Sequence, residues 1–569
     1  MAIQNILQVE NLHVSFATKT KRTDAVKEIS FQLRSNEVLG IVGESGSGKS
    51  VTALSLMHLI LLNSHAYQTG IMQLSGMEEM PNLWNEAEST WRSIRGKKIG
   101  MIFQEPSMYM NPSKTCGTQI AEAIHVHQKV SKAENYKKVI DWLSEVDLED
   151  PERIYHSFPY QLSGGQLQRV MIAIALCNHP EILIADEPTT ALDVTVQKNI
   201  LRLIKKLQKS HHLSVIFISH DLSVVSEIAD RVLVMQNGQI IEEGLTKDIF
   251  ENPKQTYTHD LLRARPSFMI KLPRLPIQDT VKERSKSILL TKGLAAVEAS
   301  AKKELQEVEI VTILEVNHLV KTYKVRTGGK KRIIRAVDDV SFSMKSGEIF
   351  GLVGESGSGK STILQSISGL IAFDSGNIHF NFPQGHSQEV NKYLQTGSEI
   401  QMIFQDPYSS LNPRMRVGQA IMEPMNGKLS VQDKIYRTHQ LLEKVGLDSS
   451  SSDLYPHQFS GGQRQRICIA RALAAEPKLL LCDECVSALD VTTQAKILNL
   501  LKDLNEELGL SMLFISHDLS VVRFMSDTVA VLKNGKIVEK NDSELIFMQP
   551  FHPYTRLLIH SVPGNADQK

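Results

Sequence analysis

The chain lacks long hydrophobic runs, an excess of charge of either sign, and more than a few cysteines. Its densest apolar stretch, Leu56 to Leu62, is far too short to span a bilayer, which takes about 20 residues. Its first residues lack the charged-then-apolar pattern of a secretory signal. We therefore expect the protein to stay in the cytosol and to act at a membrane only by docking onto another chain. Lysine and arginine total 63, as do aspartate and glutamate, which argues against bulk nucleic acid as a partner.

Five cysteines in 569 residues are typical of a reducing compartment. Two of them, Cys482 and Cys485, form a C-x-x-C pair of the kind found in redox and zinc sites. No second cysteine or histidine pair lies nearby in the sequence to complete a zinc site, and both residues lie in a strand-and-turn that carries another motif. We therefore interpret the pair as structural.

The sequence contains two copies of one pattern. Gly-Glu-Ser-Gly-Ser-Gly-Lys-Ser occurs at 43–50 and at 354–361, and other motifs recur in the same order after each copy. Two copies, each too long for a solenoid unit, indicate a domain duplication. We expect domains at 1–265 and 313–569. The linker between them, 266–312, is read as an extended segment followed by one helix.

Strands that alternate with helices predict an α/β fold with a right-handed, doubly wound parallel core in each copy. Residues 38–43 read as a strand that enters the first glycine loop, and 214–219 and 511–516 as further buried strands. The long stretch between the first and middle motifs is mostly helical in pattern and is expected to form a separate helical subdomain. The sequence thus predicts two tandem P-loop NTPase domains.

The repeated glycine-rich segments are P-loops, because each follows an apolar strand and opens a helical pattern. The glycines let backbone N–H groups turn towards phosphate oxygens, the lysine brings a positive charge to the β- and γ-phosphates, and the serine ligates Mg²⁺. We predict two nucleotide-binding loops, formed by Gly43, Gly46, Gly48, Lys49 and Ser50 and by Gly354, Gly357, Gly359, Lys360 and Ser361.

In both copies a four-residue apolar run, typical of a strand buried on both faces of a parallel sheet, ends in an aspartate followed by a glutamate. The aspartate can hold Mg²⁺ through water, and the glutamate is placed to polarise the attacking water. Because both copies keep the glutamate, we predict two active sites. The acids are Asp186 and Glu187 in the first copy and Asp483 and Glu484 in the second.

The Ser-Gly-Gly-Gln segments at 163–166 and 460–463 resemble the signature motif of ABC ATPases, and nearly the whole chain apart from the linker is similar to that family. Its other motifs are also present: a Q-loop glutamine, a D-loop aspartate, a switch histidine, and an aromatic residue where the family stacks adenine. These residues are Gln104, Asp193, His220 and Phe16 in the first copy and Gln405, Asp490, His517 and Tyr323 in the second.

The resemblance implies RecA-like cores that bind ATP and Mg²⁺ and pair head to tail, with ATP between the two domains. The Q-loop glutamines are expected near both nucleotide and metal, and the glutamates and switch histidines are expected to catalyse hydrolysis. One site would combine Lys49, Ser50, Gln104, Asp186, Glu187 and His220 with Ser460, Gly462 and Asp490. The other would combine Lys360, Ser361, Gln405, Asp483, Glu484 and His517 with Ser163, Gly165 and Asp193.

Two segments, 406–413 and 550–558, resemble the peptide-type importer ATPases for dipeptides, oligopeptides, nickel and glutathione, and degenerate versions occur at 105–112 and 252–258. The fused pair of ATPases is similar to the microcin C-type and glutathione-type subunits. The resemblance implies a peripheral protein on the cytoplasmic face of the inner membrane, with two transmembrane permease subunits and an extracytoplasmic solute-binding protein as partners. One departure is Cys485, where the family usually has proline; it is expected to loosen the turn but to leave the preceding glutamate in place.

A second class of protein with tandem ABC ATPase domains comprises soluble ATPases that act on ribosomes or nucleic acid. Those proteins tend to have a longer, basic linker, whereas residues 266–312 are mixed in charge. A chromosome-organising or repair ATPase would need a long coiled-coil or zinc insertion, which the sequence lacks. We therefore favour the importer. Its cargo stays open among peptide, modified peptide and metal chelate.

Overall fold

The computed structural model describes residues 4–17, 22–60, 65–190, 192–266, 268, 271–276, 311–327, 330–382, 386–390, 398–425, 427, 429–487 and 489–562. Contacts divide the chain into two compact units, of which the first extends to Leu262 and the second runs from Arg263 to Val562. The boundaries at 265 and 313 expected from the sequence stay predictions. Among the described residues, no helix is both long and apolar enough to cross a membrane.

The first unit contains strands and helices in an alternating order. Its strands are β1 (Asn5–Ala17), β2 (Arg22–Arg34), β3 (Val38–Val42), β4 (Ala66–Leu74), β5 (Ile99–Ile102), β6 (Ile182–Asp186), β7 (Ser214–Ser219), β8 (Arg231–Gln236) and β9 (Gln239–Leu245). Its helices are α1 (Lys49–Leu56), α2 (Glu88–Ile94), α3 (Pro106–Tyr109), α4 (Cys116–His127), α5 (Lys132–Glu145), α6 (Pro151–His156), α7 (Gly164–Leu176), α8 (Val194–Ser210), α9 (Leu222–Ile228), α10 (Thr246–Glu251) and α11 (Thr256–Arg263).

The larger sheet of this unit has the order β5-β6-β7-β3-β8-β9, with only β9 antiparallel to its neighbour. β3 is buried along its whole length, and its alternate residues enter two different cores. Val38 and Val42 pack with residues of α4, α5 and α7 to α9, while Leu39 and Ile41 pack with α1 and with β1 and β2. This explains the unbroken apolar run seen in the sequence.

A second, antiparallel sheet of order β2-β1-β4 covers one face of the core, and the sequence analysis did not predict it. In β1 the buried apolar residues are Leu7, Val9, Leu12 and Val14, so the alternation shifts by one position in the middle of the strand. Asn11 has φ 49° at that shift, and the pairing register with β2 breaks there. A bulge of this kind hides the two-residue period that identifies a strand in a sequence.

The second unit repeats this architecture. Its strands are β10 (Thr312–Thr327), β11 (Lys330–Lys345), β12 (Ile349–Val353), β13 (Ser375–Phe382), β14 (His386–Val390), β15 (Ile400–Ile403), β16 (Leu479–Asp483), β17 (Ser511–Ile515), β18 (Thr528–Lys533) and β19 (Lys536–Asp542). Its helices are α12 (Lys360–Ile367), α13 (Pro407–Ser410), α14 (Val417–Met422), α15 (Val431–Lys444), α16 (Gly461–Leu473), α17 (Val491–Leu508), α18 (Leu519–Met525), α19 (Ser543–Met548) and α20 (Pro553–His560). The sheets have the orders β15-β16-β17-β12-β18-β19 and β11-β10-β13-β14.

The start of the predicted linker packs on the second unit. Arg274 forms ion pairs with Asp503, at 2.9 Å, and with Glu506, at 2.6 Å, both on α17. The backbone of Leu275 exchanges two hydrogen bonds of 2.9 Å with the side chain of Asn499. The helix predicted in the linker falls within 277–310, outside the described residues.

A buried ion pair distinguishes the two units. Arg231, at the start of β8, donates to the Glu37 carboxylate with Nε–Oε1 at 2.8 Å, and the two side chains are 9% and 6% exposed. In the second unit Thr528 takes the place of Arg231, since Leu39 pairs with Arg231 and Phe350 pairs with Thr528. The pair is therefore specific to the first unit.

We expect Arg231→Thr to destabilise the first domain by about 3–5 kcal/mol, because it leaves the buried Glu37 carboxylate without its cation. The measurement is the shift of the first domain's transition in denaturant-induced unfolding. Arg92→Thr, which alters a side chain that is 79% exposed, should change stability by less than about 0.5 kcal/mol. Equal effects of the two variants would contradict the importance of the pair.

Candidate nucleotide sites

Each P-loop connects a central strand to a helix, as the sequence predicts. The first loop runs from the end of β3 at Val42 to Lys49, the first residue of α1. The Lys49 Nζ donates to the carbonyl oxygens of Gly43, at 2.7 Å, and Glu44, at 2.8 Å. The second copy has the same arrangement, because the Lys360 Nζ donates to Gly354 and Glu355 at 2.8 and 2.9 Å. The loop backbone therefore fixes both ammonium groups.

Glycine is required at two points of each loop for different reasons. Gly43 has φ 154°, and a Cβ there would lie 2.2 Å from the carbonyl oxygen of Met235. Gly46 has φ 79° and no heavy atom within 4 Å of a Cβ position, so its backbone borders open space. Gly354 and Gly357 repeat both situations. The loop is closely packed on one side and open on the other, which fits a phosphate cradle.

The aspartate of each site contacts the P-loop serine. The Ser50 hydroxyl donates to Asp186 Oδ1 at 3.1 Å, and the Ser361 hydroxyl to Asp483 Oδ1 at 3.0 Å. Burial raises the pKa of Asp186 to about 6, against the opposing hydrogen bond from Ser50. Burial likewise raises the pKa of Asp483. A buried carboxylate beside a hydroxyl provides hard oxygen donors, the type of ligand that Mg²⁺ prefers.

Glu187 lies at the centre of a network of hydrogen bonds. Its backbone has φ 47°, a left-handed conformation that is costly for a residue with a Cβ. Gln104 Nε2 and Thr190 Oγ1 each donate to Oε2 at 2.9 Å, and His220 Nδ1 lies 3.0 Å from Oε1. The structure thus brings together the Q-loop glutamine, the glutamate and the switch histidine that the sequence singled out. It adds the Thr190 hydroxyl, a donor to the carboxylate that the sequence motifs do not indicate.

The second site holds its glutamate with fewer side chains. Gln405 Nε2 donates to Glu484 Oε2 at 2.8 Å, and His517 Nδ1 lies 3.3 Å from the same oxygen. The Ser487 hydroxyl donates instead to the backbone carbonyl of Glu484. Glu484 has φ 47°, like Glu187, so the cysteine at position 485 leaves the turn unchanged. Cys485 itself is buried, as are the chain's four other free cysteines.

The glutamate and histidine of each site shift each other's titration. Burial acts to raise the pKa of Glu187, but the hydrogen bond and charge of His220 outweigh it, and the pKa is lowered. Burial acts to lower the pKa of His220, and Glu187 reverses this, so its pKa is raised. Glu484 and His517 show the same pair of pKa shifts for the same reasons. The ionised form of each glutamate is therefore favoured.

The signature motifs begin helices α7 and α16. Ser163 accepts a hydrogen bond from Gln166 N at 3.4 Å, and Gln166 Oε1 accepts from Ser163 N at 3.2 Å, which is a capping box. Ser460 and Gln463 form the same box in the second unit. Both serines are exposed, so the hydroxyls that cap the helices also lie at the surface.

The second glycine of each signature motif allows a close approach of the D-loop helix. A Cβ on Gly165 would lie 2.6 Å from Val196 Cγ1, and a Cβ on Gly462 would lie 2.1 Å from Thr493 Cγ2. These neighbours stand three residues after the D-loop aspartates, which cap α8 and α17. The signature and D-loop motifs of one unit are therefore packed against each other.

The predicted adenine-stacking residues lie on the antiparallel sheets. Phe16 is near the end of β1 and is half-buried against the first unit's core. Tyr323 is on β10 and is 38% exposed, with Lys321 Nζ 5.3 Å from its ring centroid. Their stacking role stays a prediction.

Comparisons with known proteins agree with this geometry. The ABC transporter family matches residues 26–190 and 337–487, and the oligopeptide/dipeptide transporter C-terminal region matches 241–286 and 538–569. The chain is 45% identical over 565 residues to the glutathione import ATP-binding protein GsiA of Escherichia coli K12, covering 98% of this chain and 90% of that protein. It is 44% identical over 570 residues to GsiA of Salmonella choleraesuis, with the same coverage.

The chain therefore belongs to the ABC transporter family, as an ATP-binding protein with two fused ATPase domains. It is an ATPase of the peptide-type importer class, and the predicted fold class, family and activity are confirmed. Among solved structures, an archaeal ribosome recycling factor in complex with a ribosomal stalk protein matches 93% of this chain and 90% of its own, with a TM-score of 0.56. At 20% identity, that likeness shows the fold alone.

The close contact between Gly462 and Thr493 predicts that alanine at position 462 destabilises the protein. Replacing glycine by alanine at an uncrowded helical position raises the free energy of unfolding by about 1 kcal/mol. Gly462→Ala should instead lower it by about 1–3 kcal/mol, because the new Cβ would overlap Thr493 Cγ2. Thr493→Ser removes that methyl group and should restore stability in the double variant. Thermal unfolding measures both effects.

Gly461→Ala is the matched control, since its Cβ would meet only Leu489 Cδ2, at 3.9 Å. It should not destabilise the protein. A Gly462→Ala protein as stable as the parent would show that α16 and α17 are not tightly packed.

Proposed function

We propose that each P-loop binds ATP with Mg²⁺ and that the two sites hydrolyse it. Lys49 and Lys360 contact the β- and γ-phosphates, and Ser50 with Asp186, and Ser361 with Asp483, hold the cation. The observation that carries this assignment is the geometry of Glu187 and Glu484, each of which contacts a Q-loop glutamine and a switch histidine beside a P-loop. Gln104 and Gln405 link the metal side of each site to its glutamate.

The side chains perform the proton chemistry. A carboxylate oxygen of Glu187 or Glu484 accepts a hydrogen bond from the attacking water and so raises its nucleophilicity, a contribution of about 10²- to 10⁴-fold. His220 and His517 hold that carboxylate in place through Nδ1 and keep it ionised. Mg²⁺, when bound, supplies charge stabilisation to the phosphate oxygens.

We further propose that the two domains pair head to tail, so that each ATP lies between a P-loop and the other domain's signature helix. The exposed serines at the start of α7 and α16, each at a helix N-terminus, are suited to contact a γ-phosphate. Ser460, Gly462 and Asp490 then complete the site of Lys49, while Ser163, Gly165 and Asp193 complete the site of Lys360. Phe16 and Tyr323 stack on the adenines.

The composite arrangement is tested in a protein whose second glutamate is disabled by Glu484→Gln, so that turnover reports the site of Lys49. In that background Ser460→Arg should abolish most of the remaining ATP turnover, because the guanidinium displaces the signature serine from the phosphate. Ser163→Arg, in the opposite motif, should reduce it less. Turnover is measured as phosphate release, and unchanged turnover in the Ser460→Arg protein would contradict the head-to-tail pairing.

The transport role rests on the likeness to peptide-type importers. We propose that the chain drives an importer of glutathione or of a related small peptide, as a peripheral subunit at the cytoplasmic face of the inner membrane. Its partners are two transmembrane permease subunits and an extracytoplasmic solute-binding protein. Support comes from the match to the oligopeptide/dipeptide transporter C-terminal region in both halves. The alternative is an ATPase that acts on ribosomes or nucleic acid, and the likeness to the archaeal ribosome recycling factor, at 20% identity, concerns the fold alone.

Purification of the tagged protein from detergent-solubilised membranes of its own host should recover two polytopic membrane proteins in stoichiometric amounts. Mass spectrometry identifies them, and the solute-binding protein that associates with them leads to the cargo. As a control, the same tag on an unrelated soluble protein should recover neither. Recovery of ribosomes or nucleic acid without a permease would contradict the importer while leaving the ATPase chemistry intact.

A further inference from the structure

Each of the importer-type segments, 252–258 and 550–558, carries a tyrosine that reaches a P-loop. The backbone N–H of Glu44 donates to the Tyr257 hydroxyl oxygen at 3.2 Å. In the second unit the N–H of Glu355 donates to the Tyr554 hydroxyl oxygen, also at 3.2 Å. Two separately encoded copies thus make the same contact.

The contacted residue is the one that orients the P-loop lysine. The carbonyl of Glu44 accepts from Lys49 Nζ at 2.8 Å and from Ser47 N at 3.2 Å. The peptide group that contacts Tyr257 joins Gly43 to Glu44, and its own carbonyl oxygen, Gly43 O, accepts from Lys49 Nζ at 2.7 Å. The Tyr257 hydroxyl, this peptide group and the Lys49 ammonium therefore form one chain of hydrogen bonds. In the second unit Lys360 Nζ donates to Gly354 O at 2.8 Å, the carbonyl of the peptide group whose N–H contacts Tyr554. A shift of the tyrosine would move the peptide group on which the lysine depends.

An acidic side chain anchors each tyrosine-bearing segment. Glu242, on β9, accepts from the backbone N–H groups of Lys254, at 2.7 Å, and Gln255, at 3.2 Å, just before α11. Glu539, on β19, accepts from Phe551 N, at 2.8 Å, and His552 N, at 3.0 Å, just before α20. Hydrogen bonds to a carboxylate are stronger than those between neutral groups.

Residues 252–258 and 549–555 share only a proline and the Tyr-Thr pair, yet the contacts are the same. Residues 252–257 read Asn-Pro-Lys-Gln-Thr-Tyr and residues 549–554 read Gln-Pro-Phe-His-Pro-Tyr. Both units contain the carboxylate that accepts from two backbone N–H groups and the tyrosine whose hydroxyl meets the P-loop. Tyr554 is 6% exposed, and Lys533 Nζ lies 4.6 Å from its ring centroid, so the ring is fixed by packing as well.

We propose that Tyr257 and Tyr554 are positioning residues for ATP, which hold the P-loop backbone in the conformation that presents Lys49 and Lys360. Both tyrosines lie in the stretches that match the oligopeptide/dipeptide transporter C-terminal region. This region therefore supports the nucleotide loop of its own domain. The inference rests on the proposed role of the P-loops in ATP binding.

The test is equilibrium binding of ATP to a protein carrying Glu187→Gln and Glu484→Gln, in which hydrolysis is disabled. Adding Tyr257→Phe and Tyr554→Phe removes two hydroxyl groups and keeps the rings. The Kd for ATP should rise about fivefold, the factor expected for one lost hydrogen bond at each site. In the protein with both glutamates intact, KM for ATP should rise by the same factor while kcat stays within about twofold, because the lysine contact is made in both ground and transition states.

Tyr136→Phe is the matched control, since that hydroxyl bonds to Glu152 on the surface of the helical subdomain. It should leave Kd and KM unchanged. The proposal is overturned if the two P-loop tyrosine variants bind ATP as tightly as the parent, if Tyr136→Phe weakens binding equally, or if kcat falls while KM is unchanged. A parent protein that binds no ATP would instead contradict the proposed function itself.

Discussion

The constraint on which both units depend is the meeting of buried opposite charges at the carboxyl edge of a parallel sheet. In the first unit a lysine, two carboxylates and a histidine end up beside one another because β3, β6 and β7 finish at the same level. Val42 pairs with Ser219, and Asp186 with Ile218. Each of these charges would be costly alone in a buried place, and the network of pairs and hydrogen bonds removes most of that cost. A slip in strand register would destroy the site and the core together.

That constraint explains what could be predicted from the sequence. The P-loop, the aspartate and the glutamate each adjoin a buried apolar strand in the chain, so a local pattern marks both the strand and the functional residue. The resemblance to a family then added the glutamine, the signature serine and the histidine. The antiparallel sheets were not predicted, because the left-handed residues Asn11 and His318 interrupt the alternation of β1 and β10. Contacts such as Tyr257 to Glu44 join residues 213 apart, and no local pattern indicates them.

Because the chain contains two copies of the domain, the features that both sites share can be separated from those that differ between them. Both copies hold the glutamate at φ 47° and the P-loop lysine on the same two carbonyls. They differ in the hydroxyl that follows the glutamate, since Thr190 binds the carboxylate whereas Ser487 binds a backbone carbonyl. Among the residues that the structure describes, Glu187 therefore has one side-chain donor more than Glu484. The two sites share the backbone conformation of the glutamate and differ in the hydroxyl groups that surround it.

Glu187 and Glu484 both adopt a left-handed backbone conformation that residues with a Cβ usually avoid. A glutamate at φ 47° is unfavourable, and a glycine would relieve the strain. The backbone N–H of each glutamate donates to the end of the neighbouring strand, to Ile218 O at 2.9 Å and to Ile515 O at 3.0 Å, and this bond holds the turn. The turn aims the carboxylate at the histidine and glutamine rather than along the strand. The sheet thus stabilises a conformation that the residue alone would avoid.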